Sequence, residues 1–144
     1  MTTIAMILKG KGSAVETAER TASLNDVLLV LAKKKIGAVV IADDQGGVAG
    51  ILSERDIVRA LAETSADVLQ RPVDSVMTRR VVTCEPSMTV DQVLELMTVG
   101  RFRHMPVVEN AVLCGIVSIG DIVKLKIAEA TAEAEALKSY IGAG

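Results

Sequence analysis

The strongest constraint on this chain is that it carries one phrase twice. Residues 50 to 61 read GILSERDIVRAL and residues 115 to 126 read GIVSIGDIVKLK, so Gly50, Ser53, Asp56, Ile57 and Val58 return as Gly115, Ser118, Asp121, Ile122 and Val123. A constant displacement marks an internal repeat, and it has to be recognised before any element is assigned. Upstream, VETAERTASL (residues 15 to 24) lies over VVTCEPSMTV (residues 81 to 90), with Thr17 over Thr83 and Glu19 over Glu85. The displacement is one residue larger there, so one residue is lost from a turn, where length changes cost least.

Each half has the same periodicity. Leu24, Val27, Leu28 and Leu31 fall at i, i+3, i+4 and i+7, and Val90, Val93, Leu94 and Met97 repeat the spacing; the pattern predicts a helix with one buried face. Ser23 with Asp26, and Thr89 with Gln92, resemble capping boxes at the two helix starts. After each helix comes a strand, IGAVVIA (residues 36 to 42) or HMPVV (residues 104 to 108), then a turn, DDQGG or ENA, then VAGIL or LCGIV. The expected fold class is therefore α/β, two β-α-β-β-α repeats. A unit of roughly sixty residues has a marginal core alone, so the two should pack together through their sheets. The expected division is residues 1–66, 67–128 and a C-terminal helix, 129–144.

Pro72 suits the first turn of a short helix running into Val76 and Met77. KGKGS (residues 9 to 13) reads as a solvated turn before the first strand, because the full G-x-x-x-x-G-K-[ST] phosphate loop is absent. Val123, Ile127, Ala130, Ala134, Leu137 and Ile141 alternate spacings of four and three, a narrow heptad-like seam. That seam either packs back on its own repeat or meets its twin in a homodimer.

Several function classes are excluded by composition. A net charge of −2 and a pI near 5.4 provide no field for a polyanion, and Phe102 and Tyr140 are the only aromatic residues, so no nucleic-acid partner is expected. Cys84 and Cys114 form no CxxC pair, so neither a disulfide framework nor a metal site is expected. His104 is the only histidine; Cys84 with His104 is a formal nucleophile and base, yet neither has an orienting partner in the sequence, and catalysis is not expected. No charged leader and no apolar run long enough to span a bilayer is present, which predicts a soluble cytoplasmic protein with no membrane partner.

The repeated Ser-x-x-Asp has two readings. As structure, the serine caps a helix and the aspartate sits at its positive end. As chemistry, free N–H groups at a helix start beside a glycine-ended strand suit a phosphate, and a nearby carboxylate can accept both hydroxyls of a ribose.

The doubled G-h-h-S-x-x-D-h, with RFRHMPVV (residues 101 to 108) before its second copy, resembles the tandem CBS-domain pair, or Bateman module, over residues 1 to about 128. The resemblance implies two pseudo-symmetric repeats whose clefts bind adenine nucleotides, each cleft taking Ser-x-x-Asp from one repeat and its first and central strands from the other. In the first cleft it would bring Ser53, Arg55 and Asp56 together with Val82, Thr83, Arg103, His104, Met105 and Pro106. Asp56 would hold the ribose, Ser53, Arg55, Arg103 and His104 would surround the phosphate, and backbone near Thr83 and Met105 would meet the base. The second cleft would join Ser118 and Asp121 to Thr17, Gly37, Ala38 and Val39. There Gly37, Ala38 and Gly120 stand where the first cleft has Arg103, His104 and Arg55, leaving only Lys35 and Lys124 as nearby cations.

Charge-assisted bonds to phosphate contribute about 1.5–3 kcal/mol each against about 1 for neutral ones. The first cleft is thus expected to hold a monophosphate at least about tenfold more tightly, with AMP or the adenylate part of a larger nucleotide as first choice. The second has room for a bulkier ligand such as NAD(H); ADP, ATP and S-adenosylmethionine stay open. The resemblance implies a regulatory sensor with no catalysis of its own, acting on a partner protein carried by a separate chain and assembling as a homodimer. The competing reading is a scaffold whose pockets are vestigial.

Overall fold

The computed structural model describes residues 1–143; Gly144, the last residue of the expected C-terminal helix, lies outside the described residues. The chain runs α1 (Ile4–Lys11), β1 (Thr17–Ala18), α2 (Leu24–Lys34), β2 (Ala38–Ala42), β3 (Val48–Ser53) and α3 (Glu54–Glu63). Two 3-10 turns follow, Ala66–Gln70 and Val73–Ser75, then α4 (Val90–Gly100), β4 (His104–Glu109), β5 (Val112–Ser118) and α5 (Ile119–Ala143). This is the α/β duplication that the repeat predicts.

The helix starts obey their capping residues. Ser23 Oγ accepts from the Asp26 N–H at 3.1 Å, and Thr89 and Gln92 form a reciprocal box, with N–H donors at 3.0 and 3.1 Å from the partner side chains. Both helices end on a basic residue in the left-handed region, Lys35 (φ 55°) and Arg101 (φ 58°). Each repeat then forms an antiparallel pair, β2 with β3 and β4 with β5, and the pairing slips at corresponding places, between Ile41 and Ala42 and between Val107 and Val108. The first strand is asymmetric. β1 runs parallel to β2, whereas the expected strand near residues 81–85 is reduced to one parallel bridge, Cys84 to Val107.

Each hydrophobic core is assembled from both sides of residue 66. Ile4 and Ile7 of α1 are buried with Val90, Val93, Met97, Met105, Val107, Val117 and Ile122. Conversely Val68, Val73 and Met77 are buried with Leu24, Val27, Leu31, Ile41, Leu52 and Ile57. The leading segment of each repeat thus covers the core of the other. Residues 9 to 13 are exposed, as expected, but the expectation of a turn throughout is corrected: Lys9 to Lys11 are helical, and Gly12 at φ 98° ends the helix. The physical reason is the apolar set Ile4, Ile7 and Leu8, three and four residues apart, which only a helix places together on one surface.

The exchange also explains the repeated glycine. A Cβ at Gly50 would stand 2.5 Å from Met77 Sδ and 2.9 Å from the Thr78 carbonyl oxygen, and a Cβ at Gly115 would stand 2.7 Å from Leu8 Cδ2. Each glycine therefore admits the crossing segment rather than turning the chain.

α5 continues through residue 128 without a break. Ile122 is buried and Leu125 packs against the core, but Val123, Ile127, Leu137 and Ile141 of the heptad-like seam are exposed, so the seam does not pack back on its own repeat.

Candidate functional site

The Ser-x-x-Asp phrase forms a capping box at both helix starts. The Ser53 N–H donates to Asp56 Oδ2 at 2.9 Å, and the Asp56 N–H lies 3.4 Å from Ser53 Oγ. The Ser118 N–H donates to Asp121 Oδ2 at 2.8 Å and the Asp121 N–H to Ser118 Oγ at 3.2 Å. One oxygen of each aspartate is thereby committed to its own helix. The other remains for whatever the tertiary structure brings.

At α3 that is a cavity of about 520 Å³ between the repeats. Ser53, Arg55, Asp56, Val82, Arg103 and His104, all expected in the first cleft, lie on its wall. Thr83, Met105 and Pro106 do not; Met105 is fully buried in the second core, and Pro106 is buried beside it. Gly37, expected in the second cleft, lies on this same wall, where a Cβ would meet the His104 imidazole at 3.0 Å. Thr78 completes the carboxylate's surroundings, its hydroxyl donating to Asp56 Oδ1 at 3.3 Å.

The wall includes residues that sequence reasoning missed. Arg59, Arg80 and Arg101 join Arg55 and Arg103, and Ile51, Val81 and Phe102 add apolar surface. Among the described residues none of these five arginines pairs with a carboxylate within 4.0 Å; the ion pairs formed use Lys11, Arg20, Lys34, Arg79 and Lys126. Arg59 was detectable, since it follows Arg55 by four residues and so shares its helix face. Arg80 had no local signal, because it reaches the cleft only through the crossing segment. Arg101 alternates with Arg103 around Phe102 and reads as a surface residue; it is exposed, ends α4 in the left-handed region, and lies on the cavity wall.

His104 lies on the cavity wall and pairs with Ser118 across β4 and β5. Burial pushes its imidazole below the ordinary histidine value; Glu54 and Asp121 pull the other way, and Lys11 and Arg103 add to the lowering. It is neutral at neutral pH, a donor or acceptor rather than a fixed cation. Cys84 is buried with its Sγ 3.8 Å from the Pro106 carbonyl oxygen, and burial, with a smaller contribution from Cys114, pushes its thiol up to about 12. A thiol in that state is no nucleophile, and it is absent from the cavity wall.

Around Asp121 the arrangement differs. Lys11, from the end of α1, places its ammonium 2.7 Å from Asp121 Oδ2 and 3.0 Å from the Ile116 carbonyl oxygen. Ala38 and Val39 are buried in the first repeat. Thr17 lines a separate, open cavity with Glu19, Asp43, Asp44 and Asp74, and neither cavity has Ser118 or Asp121 on its wall. Among the described residues no group of three or more His, Cys, Asp and Glu side chains is placed to hold a metal ion, and no helix is long and apolar enough to cross a membrane.

A duplicated β-α-β-β-α unit with capped Ser-x-x-Asp helix starts defines a tandem pair of like domains. The family model for the CBS domain matches residues 13–63 and 73–128, and the chain belongs to that family. It is 30% identical to a mitochondrial CBS domain-containing protein of Arabidopsis thaliana, over 99% of this chain and 73% of that protein. In structure it resembles a CBS-domain containing protein from Agrobacterium tumefaciens, with a TM-score of 0.84 and 46% identity over 87% of this chain and 99% of that one. It also resembles a CBS domain protein from Pyrobaculum aerophilum complexed with AMP, with a TM-score of 0.74 and 28% identity over 83% and 88% of the two chains.

Proposed function

We propose that this chain is a regulatory module that senses an adenine nucleotide in its first cleft, AMP or the adenylate part of a larger nucleotide. The observation that carries the reading is one cavity in which Asp56 stands among five arginines that pair with no carboxylate among the described residues. A carboxylate accepts the paired hydroxyls of a sugar, and guanidinium groups bond its phosphate in fixed fork geometry. In this reading Arg55 and Arg103 hold the phosphate, neutral His104 contributes a hydrogen bond, and Val82 and Phe102 supply apolar surface for the base. The AMP carried by the structural relative from Pyrobaculum aerophilum supports the choice of ligand.

The module acts by population shift: nucleotide between the repeats favours one packing, and the difference is read by a partner protein. Self-association is part of the proposal. The exposed seam Val123, Ile127, Leu137 and Ile141 suits a second copy of α5.

Thermal melting of the chain with AMP, ATP, NADH and S-adenosylmethionine tests the reading. A ligand at 100 times its dissociation constant adds about 2.7 kcal/mol, a rise of roughly 5–10 °C for a chain of this length. At the same ligand concentration the rise should fall to about half or less in Asp56→Ala. No rise with any of the four would favour a scaffold in which the α5 seam is the functional surface.

A further inference from the structure

We infer that Lys11 decides which of the two clefts is used, by holding in the second, with a cation, the carboxylate whose counterpart in the first meets only neutral donors. The inference rests on the reading of Asp56 and Asp121 as sugar-binding groups. It starts from a difference between segments that are otherwise equivalent. In the first repeat Ile51 exchanges backbone hydrogen bonds with Thr78, its N–H donating to the Thr78 carbonyl at 3.0 Å and its carbonyl accepting from the Thr78 N–H at 2.9 Å. The Thr78 hydroxyl then reaches Asp56 at 3.3 Å, a neutral donor that a ligand hydroxyl can replace.

Ile116 is the counterpart of Ile51 in the second repeat, and among the described residues no crossing segment exchanges backbone hydrogen bonds with it. The end of α1 arrives instead, and the Lys11 ammonium takes both positions at once, donating to the Ile116 carbonyl at 3.0 Å and to Asp121 Oδ2 at 2.7 Å. The pair is partly sheltered, with side-chain exposures of 34% and 19%. Lys11 is not free to drift away. Leu8, one turn earlier, packs into the space left by Gly115, and Ile7 and Ile4 are buried in the second core. The cation is therefore tethered by the fold beside the carboxylate that a sugar would need.

A sugar that engages both oxygens of Asp121 has to compete with the Lys11 ammonium for Oδ2, whereas one that engages both oxygens of Asp56 competes, beyond the capping N–H, only with the hydroxyls of Thr78 and Ser53. A tethered cation adds no phosphate affinity while it is held on Asp121 and on a backbone carbonyl. Lys11 is thus a specificity-determining residue for the pair of clefts, and it directs nucleotide to the side of Asp56.

The test isolates the second cleft by working in an Asp56→Asn background and follows adenosine and AMP by titration calorimetry on the full chain. Adenosine has no phosphate, so it reads competition for Asp121 alone. Lys11→Met keeps the apolar stem and removes the charge; Lys11→Gln is the second variant, and melting curves confirm that each folds. Both ligands should bind about fivefold more tightly when Lys11 is replaced, the effect expected for losing a competing, partly exposed ion pair. The gain should disappear on adding Asp121→Asn. Unchanged or weaker binding of either ligand, or no binding before and after replacement, would overturn the inference. The reading of the first cleft fails separately, if Asp56→Asn in the otherwise unchanged chain leaves AMP affinity as it was.

Discussion

Asp56 and Asp121 occupy the same position in the same capping box, yet one faces a cavity lined by arginines and the other a lysine of its own chain. The local hydrogen bonds differ by no more than a few tenths of an ångström, 2.9 against 2.8 Å for the serine N–H. What differs is the segment that crosses from the other repeat: Met77 and Thr78 against Gly50 and Asp56, Leu8 and Lys11 against Gly115 and Asp121. A motif four residues long specifies how a helix begins. What else each carboxylate meets is decided by a segment far away in the chain: the Thr78 hydroxyl on Asp56 Oδ1, and the Lys11 ammonium on Asp121 Oδ2, the oxygen that already accepts from the Ser118 N–H.

The largest expected effect follows from the first cleft's charges. Asp56→Ala or Arg103→Ala should weaken AMP binding by about 10- to 100-fold, the value of one hydrogen bond to a charged group. Asp121→Ala should leave binding at the first cleft within about twofold, as expected for sites without shared partners. Titration calorimetry on the three variants checks the contrast, and equal losses from both aspartates would remove the asymmetry between the clefts.

The crossing segments are compared by stability. Gly50→Ala forces a methyl against a backbone carbonyl and the Met77 side chain, and should cost about 1–3 kcal/mol, as overpacking does. Gly115→Ala meets only the ends of the Leu8 side chain and should cost visibly less. Urea midpoints of the two variants measure the difference. Equal costs would mean that α1 is as rigidly seated as the Met77 to Thr78 segment.

These contrasts show how far the sequence could be read. The duplication, the helix stripes and the capping residues are local or periodic signals, and the elements they predict are present. The crossing of α1 left no comparable trace, since Ile4, Ile7 and Leu8 form too short a stripe to reveal which core they cover. For the same reason Lys35 and Lys124 stood out as cations of the second cleft while Lys11 was read as part of a solvated turn. In the first cleft the residues adjacent to the motif, Arg55, Arg103 and His104, are on the cavity wall. Arg80, Thr78 and Gly37 arrive through tertiary packing.

Arg101 joins stability to binding at the rim. A non-glycine residue in the left-handed region is strained by on the order of 1 kcal/mol, so Arg101→Gly should stabilise the fold by about that amount. It should also weaken nucleotide binding by removing one of the five guanidinium groups. Gains in both stability and affinity would place Arg101 outside the site. The equivalent change at Lys35 should stabilise without any effect on binding.

The smallest effects are those of pH, and they separate the two clefts again. His104 has a depressed pKa, so the unfolded chain binds its proton more readily; stability is complete above about pH 6.5 and declines as pH falls through that value toward the folded pKa. His104→Gln should flatten this part of the profile. Asp121 behaves differently. Burial pushes its carboxyl up, but hydrogen bonds from Lys11 and Ser118 and the charge of Lys11 together hold it below the ordinary value. Its contribution is therefore full above about pH 4 and is lost only as pH falls through the lower folded pKa. Lys11→Met removes the main opposing influence, so the loss should begin at higher pH, with a difference of no more than about 1 kcal/mol for a partly exposed pair. Urea midpoints taken across this range in the His104→Gln background read the Asp121 step alone. A profile unchanged by Lys11→Met would show that the ammonium does not rest on Asp121 in solution, and the two carboxylates would then be equally open to a sugar.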